Sequence, residues 1–365
     1  MRFWIVAGGT GGHVYPAMSV VQAFRDINPE AQLTWIGGKG GMEADLIAPL
    51  DVPFVAIPAG GVHGVGGLRA LSNAWQLMRG FFTAWRLLRH ERPAAVLTTG
   101  GYVSPPVALA AWLSRVPVLL YLPDIEPGLS FRWVARLAKK IAVTVEDSRA
   151  FLPAHKVVVT GYPLRKDLQC WERAAARQPL GLNADLPVLL ILGGSRGARS
   201  INEAVLAQLP ALLAETQLVH MTGSLDWEKV AARAESLPAA LRERYRPFAY
   251  LHDEMGAALA AADLALSRAG ASVLGEFPAF GLPAILVPYP YAWRYQKVNA
   301  EWLAQRDAAI VVADAELAAT ILPLVRELLQ SSERRAAMTA NVQTLARPDA
   351  ARDIAQLWLA LGQGA

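Results

Sequence analysis

The stretch Phe3-Trp4-Ile5-Val6-Ala7-Gly8-Gly9-Thr10-Gly11-Gly12-His13-Val14-Tyr15-Pro16 decides the fold of this chain. Its five leading apolar residues predict a strand that is covered on both faces, and a helical segment follows the glycines. Glycines between a strand and a helix let the backbone approach a ligand closely and direct N–H groups toward it. The alternative is a tight turn that only packs helix on strand, but four glycines exceed what such a turn needs.

This first glycine loop, Gly8–Gly12, fits neither of two common phosphate-binding motifs. Read as a dinucleotide fingerprint, it places Val14 at the third glycine. The second predicted strand then ends in Gly37-Gly38, where an acidic residue would hold a ribose. No Gly-Lys-Ser/Thr follows the loop, which argues against a P-loop.

Short β-rich runs alternate with helix-length Ala/Leu segments along the chain. The predicted strands are Phe3–Ala7, Leu33–Ile36, Phe54–Ile57, Ala95–Thr98, Val118–Tyr121, Ile141–Val145, Val157–Thr160, Val188–Leu192, Gln217–Met221, Ala249–Leu251, Leu264–Ser267, Ala284–Val287 and Ile310–Val312. The alternation predicts an α/β fold of doubly wound parallel sheets. The restart after Pro163 predicts two such domains, with the cleft between them as the default ligand site.

Length and composition narrow the class of protein. The 365 residues suggest two domains, and a chain that is 53% hydrophobic and 18% charged is not disordered. A single Cys excludes a disulfide scaffold and a cysteine zinc site, and it suits a reducing compartment. No apolar stretch reaches the ~18–20 residues that span a bilayer, and the apolar start is too short for a signal peptide. We therefore expect a cytoplasmic chain without a membrane span.

The positive charge lies in the N-terminal half. Residues 1–161 contain 15 Lys and Arg against 10 Asp and Glu, a net +5, whereas the remainder contains 20 against 21, a net −1. A nucleic acid, an anionic membrane surface and an acidic substrate all suit this pattern. No recognisable DNA- or RNA-binding module is present, which disfavours nucleic acid.

Further glycine-rich loops follow other predicted strands. Gly193–Arg199 opens the second domain as Gly8–Gly12 opens the first, and the pair predicts phosphate-bearing ligands held from both sides. Gly100–Ser104 is a third loop. In a fourth, Ser267–Glu276, small residues open a helix that carries one glutamate.

His13 directly follows the first glycine loop. A histidine at a cleft-facing loop is a natural general base, and a helix-start histidine satisfied by solvent or a carbonyl is an equally good interpretation. No Asp-x-Asp and no His/Cys/carboxylate cluster occurs, so the sequence predicts no metal site. Helix N-termini and backbone N–H groups would then stabilise a leaving phosphate.

Together these segments resemble the MurG family of peptidoglycan glycosyltransferases over essentially the whole chain. The similarity rests on segments in a fixed order: Gly8–Pro16, Met42–Leu46, Gly100–Ser104, Gly193–Arg199 with Asn202, Arg268–Glu276 and Gly281–Pro283. The resemblance implies a GT-B fold of two Rossmann-like domains facing a cleft. It implies an acceptor and membrane-binding domain at 1–161, a UDP-sugar-binding domain at 162–346, and a C-terminal helix at 347–365 that returns to the first domain.

The resemblance also implies the reaction. It is an inverting, one-step transfer of N-acetylglucosamine from UDP-N-acetylglucosamine to lipid I, the undecaprenyl-pyrophosphoryl-N-acetylmuramoyl pentapeptide, which gives lipid II. No metal and no cofactor take part. The implied location is the cytoplasmic face of the cell membrane, where the protein would be peripheral.

Site residues follow from the same resemblance. His13 matches the general base, Glu276 would hold the uridine ribose hydroxyls, and Ser195 would meet the pyrophosphate. The implied substrate-binding residues are Thr10, Gly11, Gly12, Gly101, Tyr102, Asp124, Arg165, Ser195, Leu251, Ala271, Ser272, Val273, Leu274, Gly275, Glu276 and Gln296.

The chain departs from the family pattern at the acceptor and sugar pockets. Tyr121–Asp124 replaces His-Glu-Gln-Asn, which puts Asp124 where an amide is expected, and Trp293–Gln296 replaces an Asp-Arg/His-Gln region. Two alternatives therefore stay open: a UDP-sugar transferase for another lipid acceptor such as diacylglycerol, and a catalytically impaired MurG-like membrane scaffold. The first would not need the acceptor pyrophosphate loops, and turnover would exclude the second.

A basic amphipathic segment runs from Leu68 to Arg92. Its five arginines against one glutamate give it a charge of +4. One helical face carries Leu71, Trp75, Met78, Phe82, Trp85 and Leu88, and Phe81 widens it. A core-facing helix with a solvated back is the alternative, but bulky aromatics beside arginines are typical of an interfacial helix. The residues predicted to contact the membrane are Trp75, Met78, Phe81, Phe82 and Trp85.

Overall fold

The computed structural model describes residues 1–41, 43–60, 67–194, 197–291 and 294–364, with side chains for all of these except 67–71. The chain divides into two compact units. The first comprises Met1–Arg165 with Arg347–Ala365, and the second comprises Lys166–Ala346.

Strands and helices alternate through both units. The strands are β1 Arg2–Ala7, β2 Gln32–Gly38, β3 Phe54–Ile57, β4 Ala95–Gly100, β5 Val118–Leu122, β6 Lys140–Val143, β7 Val157–Val159, β8 Val188–Leu192, β9 Gln217–Met221, β10 Tyr245–Phe248, β11 Leu264–Ser267, β12 Ala284–Leu286 and β13 Ala309–Val311. The helices are α1 Gly11–Ile27, α2 Glu43–Ile47, α3 Gly67–Glu91, α4 Ser104–Leu113, α5 Leu129–Leu137, α6 Arg173–Ala176, α7 Arg199–Ala207, α8 Leu209–Glu215, α9 Trp227–Glu235, α10 Ala239–Arg242, α11 Glu254–Ala261, α12 Glu276–Phe280, α13 Tyr295–Ala304, α14 Leu317–Gln330, α15 Ser332–Gln343 and α16 Ala350–Gly362. Short 3₁₀ turns lie between some of these elements.

Each unit is built on one sheet, and the strand pairs described in both sheets are parallel. The first sheet has the order β3-β2-β1-β4-β5-β6-β7, and the second has the order β10-β9-β8-β11-β12-β13. In each sheet the chain moves outward from the first strand and then crosses to its other side, which is the doubly wound, Rossmann-like arrangement. The predicted fold class is confirmed.

Apolar residues cover both faces of the first sheet, which explains why its strands are continuous apolar runs. One face packs against α1 and α16, and the other packs against α3, α4 and α5. Trp358 of α16 is fully buried, with its ring 5.3 Å from that of Phe3 and 4.4 Å from that of Phe24. The last helix thereby completes the core of the first unit.

One predicted strand was wrong. The structure places β10 at Tyr245–Phe248, four residues before the predicted Ala249–Leu251. β10 is an edge strand that pairs only with β9 in the described sheet, so it tolerates Arg246 and Pro247. Its sequence, Tyr-Arg-Pro-Phe, is therefore not a continuous apolar run and does not predict a strand. No helix in the described part of the chain is long and apolar enough to cross a membrane.

Candidate active site

The first glycine loop lies where the strand order of the first sheet reverses. β1 pairs with β2 on one side and with β4 on the other, so the loops that follow β1 and β4 leave the same edge of the sheet next to each other. Gly101 has a φ of +90°, and a Cβ there would collide with the carbonyl oxygen of Gly8. The two loops approach so closely that this position requires glycine.

His13 lies between these two loops. α1 begins at Gly11, which puts His13 in its first turn. The Thr99 hydroxyl donates to the backbone carbonyl of His13 at 2.7 Å, and the imidazole centroid lies 5.9 Å from that of Phe131. A Cβ on Gly100 would lie 2.6 Å from Cδ2 of His13, so the lack of a side chain there makes room for the imidazole.

Burial and one backbone contact determine the protonation of His13. Burial lowers the pKa of the imidazole below its ordinary value of 6.5, and a hydrogen bond to the Gly8 backbone opposes that shift. An imidazole that is neutral and donates one N–H to a carbonyl keeps a lone pair on its other nitrogen. In this state His13 can accept a proton at neutral pH, as a general base must.

Glu43 is a site residue that sequence reasoning missed. It entered only as part of the segment Met42–Leu46, of which Met42 lies outside the described residues. The structure buries its carboxylate beside the first glycine loop, where it accepts hydrogen bonds from the N–H groups of Gly38 at 2.6 Å and Gly9 at 3.4 Å. The two glycine pairs that shortly precede this acidic residue, Gly37-Gly38 and Gly40-Gly41, were the available signal.

The other residues predicted in the first loops line the same edge. Thr10 is the N-cap of α1, and its hydroxyl lies 3.4 Å from Nδ1 of His13. Gly11 and Gly12 form the first turn of α1, next to His13. Tyr102 follows β4 and is 59% exposed, so its side chain is free to meet a ligand.

Asp124 and Arg165 lie farther along the first unit. Asp124 follows β5 and is half-buried. The guanidinium of Arg165 stacks on the Tyr15 ring of α1 at 4.9 Å. Tyr121, which stands where the family has histidine, is fully buried, and its hydroxyl lies 3.0 Å from that of Thr144. Tyr121 is therefore a core residue, and Asp124 is the accessible group of that altered segment.

The second glycine loop occupies the equivalent place in the second unit. β8 pairs with β9 and with β11, so the loops after β8 and β11 flank the reversal of strand order there. Gly194 and Gly197 have φ values of +80° and +83°, and a Cβ on Gly197 would collide with the Thr222 carbonyl. Ser195, the predicted pyrophosphate contact, and Arg196 lie outside the described residues.

A buried hydrogen-bond network holds the start of α7 against β9. The Asn202 amide donates to the Thr222 carbonyl at 2.9 Å and to Asp226 at 2.8 Å. Its oxygen lies 3.0 Å from Nε2 of His220, whose Nδ1 lies 2.9 Å from the Tyr245 hydroxyl. These partners require the neutral Nε2–H tautomer, and burial lowers the pKa of His220 to about 3. Sequence reasoning noted Asn202 but missed His220 and Tyr245.

Arg268 links three elements at the same edge. Its guanidinium pairs with Asp314, donates to the Ser200 hydroxyl at 2.7 Å and to the Val287 carbonyl at 3.0 Å, and stacks on the Tyr289 ring at 5.2 Å. The side chain is 11% exposed. Arg268 therefore braces the loop after β11 against α7, and its charged group is engaged by protein.

The remaining donor-side residues follow β10, β11 and β12 and thus lie on the carboxyl edge of the second sheet. The turn Ala271–Leu274 is anchored by the buried side chains of Val273 and Leu274. The partly accessible positions of this segment are Ala271, Ser272, Gly275 and Glu276. Leu251 is also buried. The Gln296 side-chain oxygen accepts from the backbone N–H of Tyr289 at 2.8 Å.

Some apolar side chains of α3 are exposed to solvent, and others are buried in the core. Trp75, Met78 and Phe82 are 59%, 47% and 49% exposed, whereas Leu88 is buried. Leu88 lies about 120° round the helix from Phe82, because each residue turns the helix by about 100°. The prediction that Leu88 shares one face with the others was wrong. Phe81 and Trp85 lie between these directions and are partly buried against the core.

Helices α4 and α5 carry further exposed apolar residues. α3 contacts α4 and α4 contacts α5, on the same face of the sheet. Trp112 and Leu113 at the end of α4 are exposed, as are Leu129 and Trp133 on α5. Sequence reasoning did not identify these four residues. Among the described residues, no group of three or more His, Cys, Asp or Glu side chains is arranged to hold a metal ion.

Comparison with known proteins covers both units. Residues 3–143 match the glycosyltransferase family 28 N-terminal domain, and residues 188–354 match the glycosyltransferase family 28 C-terminal domain.

Curated relatives are similar over nearly the whole chain. A Roseiflexus sp. (strain RS-1) protein is 42% identical over 98% of this chain and 94% of its own length, and one from Moorella thermoacetica is 38% identical over 98% of both. Each is named UDP-N-acetylglucosamine–N-acetylmuramyl-(pentapeptide) pyrophosphoryl-undecaprenol N-acetylglucosamine transferase. The crystal structure of Acinetobacter baumannii MurG matches with a TM-score of 0.76 at 27% identity, covering 98% of this chain and 99% of that one. The resemblance to the MurG family is confirmed.

Proposed function

The chain belongs to glycosyltransferase family 28, and from this membership we propose that it transfers N-acetylglucosamine from UDP-N-acetylglucosamine to lipid I, forming lipid II. The two relatives described above carry this donor and this acceptor in their names. The activity would serve peptidoglycan synthesis and, through it, cell shape and cell division.

One observation carries the chemical part of the proposal. His13 is an imidazole with a lowered pKa at the start of α1, with Gly8 on one side and Gly100 on the other. In the reaction, the acceptor hydroxyl oxygen forms a bond to the anomeric carbon of the donor sugar, while the bond from that carbon to the diphosphate breaks. His13 takes the hydroxyl proton, and UDP leaves with the bonding electrons, so the anomeric configuration inverts.

The glycine loops supply the binding of phosphates. α1 is 17 residues long with no acidic residue in its first turn, so its N-terminus at Thr10–Gly12 favours an anion. We assign the acceptor pyrophosphate to this turn and to Gly100–Ser104. The donor UDP is assigned to the second unit, where Ser195 would meet the diphosphate and Glu276 the ribose. The other donor contacts proposed are Arg165, Leu251, Ala271–Gly275 and Gln296.

The same proposal places the protein at the cytoplasmic face of the membrane as a peripheral protein. Exposed Trp75, Met78 and Phe82 lie on α3 together with Arg79 and Arg86, and Phe81 and Trp85 lie beside them, partly buried. Aromatic side chains enter the interface between lipid headgroups and acyl chains, and each Lys or Arg near an anionic surface contributes about 1 kcal/mol. A lipid-linked acceptor requires such a surface.

The experiment supplies radiolabelled UDP-N-acetylglucosamine and a lipid I analogue to the purified protein. Acceptor-dependent transfer of label is expected. In a parallel reaction, diacylglycerol replaces the lipid I analogue, and transfer of label only there would favour the glycolipid alternative. UDP binding without transfer to either acceptor would favour the scaffold. His13→Ala should lower turnover by ~10²–10⁴-fold with UDP binding intact. His155→Ala, an exposed histidine in the same unit, is the matched control and should leave turnover unchanged.

The membrane surface is tested separately with anionic liposomes. Trp75→Glu with Phe82→Glu should abolish flotation with the liposomes without changing the far-UV circular dichroism spectrum. Leu225→Glu, which alters an exposed apolar residue of the second unit, should float like the unmodified protein. Retained flotation of the double variant would contradict the assignment of this surface.

A further inference from the structure

The carboxylate of Glu43 is buried in a place built for it. The residue is 1% exposed, and Oε1 accepts from the Gly38 N–H at 2.6 Å. A Cβ on Gly8 would lie 2.5 Å from Oε1, and a Cβ on Gly41 would collide with the same carboxylate. A buried carboxylate is costly unless hydrogen bonds compensate it. The glycines at 8 and 41 are thus explained by this acidic side chain. At Gly8 the sequence had suggested close approach of a ligand.

One peptide group joins this carboxylate to His13. The N–H of Gly9 donates to Oε2 of Glu43 at 3.4 Å. His13 is hydrogen-bonded to the backbone of Gly8, on the other side of the same peptide. Because this bond raises the pKa of the imidazole, we infer that the ring N–H donates to the Gly8 carbonyl. The path therefore runs from carboxylate to peptide to imidazole, with each step a hydrogen bond or a covalent bond.

The negative charge of Glu43 should strengthen the Gly8 carbonyl as a hydrogen-bond acceptor for His13. A hydrogen bond to an ionised acceptor is stronger than one between neutral groups, and it polarises the donor peptide. The Gly8 carbonyl oxygen then becomes a better acceptor for the imidazole N–H. Catalytic triads use a carboxylate in direct contact with histidine to select its tautomer and orientation. Here a peptide stands between the two groups.

We propose that Glu43 is a positioning residue for His13 and acts through the Gly8–Gly9 peptide. This inference rests on the proposed function, in which His13 is the general base. Glu43 holds the loop at both Gly9 and Gly38 and favours the imidazole tautomer that donates its N–H to the Gly8 carbonyl.

Other charged and titratable groups lie on the elements around His13 and Glu43. They are Tyr15, Lys39, Asp45, Tyr102, Asp124, Glu126, Arg132 and Arg165. Glu126 pairs with Arg132 at 3.1 Å, and Arg165 stacks on Tyr15. A change confined to Glu43 leaves these groups in place, so its effect on His13 can be measured against a constant background.

The test is Glu43→Gln, which keeps the shape of the side chain and removes its charge. Histidine-labelled full-length protein is titrated by NMR, with the His13 signal assigned by its loss in His13→Asn. The pKa of His13 should fall by about half a unit or more, because the less polarised carbonyl supports the protonated ring less well. The acidic limb of kcat/KM should move to lower pH by the same amount. kcat should fall about 10-fold, with the KM for the donor nearly unchanged.

The matched control is Glu91→Gln, a carboxylate of the same unit that accepts from the Trp4 indole at 2.7 Å, at the opposite edge of the sheet. It should leave the titration of His13 unchanged. Glu43→Asp keeps the charge on a shorter side chain, so the pKa of His13 should fall by less than in Glu43→Gln. If Glu43→Gln does not fold, the His13 titration of Glu43→Asp decides the question. Identical His13 titrations in the unmodified protein and the folded Glu43 variants would overturn the inference. Failure of sugar transfer by the unmodified protein would instead overturn the proposed function, because the NMR titration needs no turnover.

Discussion

Mild acid should destabilise the second unit through His220. This imidazole is fully buried, and its pKa is about 3 in the folded protein against an ordinary value of 6.5. Between these two values the unfolded chain binds a proton that the folded chain does not. The contribution of His220 to stability is therefore complete above pH 6.5 and is lost as the pH falls toward 3.

The size of the effect follows from the shift. One pKa unit corresponds to about 1.4 kcal/mol, and pH 5.0 lies about 1.5 units below the pKa of the unfolded imidazole. His220 should thus reduce the free energy of unfolding by about 2 kcal/mol between pH 7.5 and pH 5.0. His220→Gln offers an amide nitrogen to Asn202 and an oxygen to Tyr245 but does not titrate. It should cost about 1–2 kcal/mol at pH 7.5 and show a flatter pH dependence.

The assay is urea unfolding followed by far-UV circular dichroism at pH 7.5 and pH 5.0. The control is His252→Gln, since His252 is an exposed histidine of the same unit. It should keep the pH dependence of the unmodified protein. Contributions from His13 cancel, because His13 is present in all three proteins. If His220→Gln loses as much stability on acidification as the unmodified protein, the burial argument for His220 is wrong.

Three further changes test other parts of the fold. Gly101→Ala places a Cβ against the Gly8 carbonyl, so it should lower the free energy of unfolding by about 1–3 kcal/mol and should also lower kcat. Gly128→Ala places a Cβ in open space and should change neither quantity. Thermal unfolding and turnover assays measure the two effects. Trp358→Ala empties the core between α1 and β1 and should lower the free energy of unfolding by about 3–5 kcal/mol; a loss under 1 kcal/mol would show that α16 does not complete that core. Arg268→Lys removes a planar donor with several partners and should raise the KM for UDP-N-acetylglucosamine several-fold, and an unchanged KM would separate Arg268 from the donor loop.

Most of the sheet architecture was predictable because parallel strands are buried on both faces. Continuous apolar runs such as Phe3–Ala7 and Val188–Leu192 have few other stable environments. The exception, β10, is an edge strand, and an edge strand does not need two apolar faces. For α3, helical spacing correctly predicted an exposed apolar face near Trp75 and Phe82 but wrongly included Leu88. Each residue turns the helix by about 100°, so the small deviations in spacing add up and Leu88 points toward the core.

The candidate site was predictable where one motif contains its own geometry. A strand, a glycine loop and the first turn of a helix place His13 at the carboxyl edge of the sheet whatever the rest of the chain does. The supports of the site join distant segments: Gly9 to Glu43, Asn202 to His220, and Arg268 to Asp314. Each pair is separated by residues that carry no pattern linking them.

The sequence by itself determined the α/β class, the two sheets, the family and the position of His13, because periodicity and glycine spacing are local properties of the chain. Tertiary structure alone decided which charges are buried, which α3 side chains face solvent, and why Gly8 and Gly101 must be glycine. These depend on contacts between segments that meet only after folding. The first glycine loop is therefore shaped by Glu43, Gly100 and Gly101 as well as by any ligand.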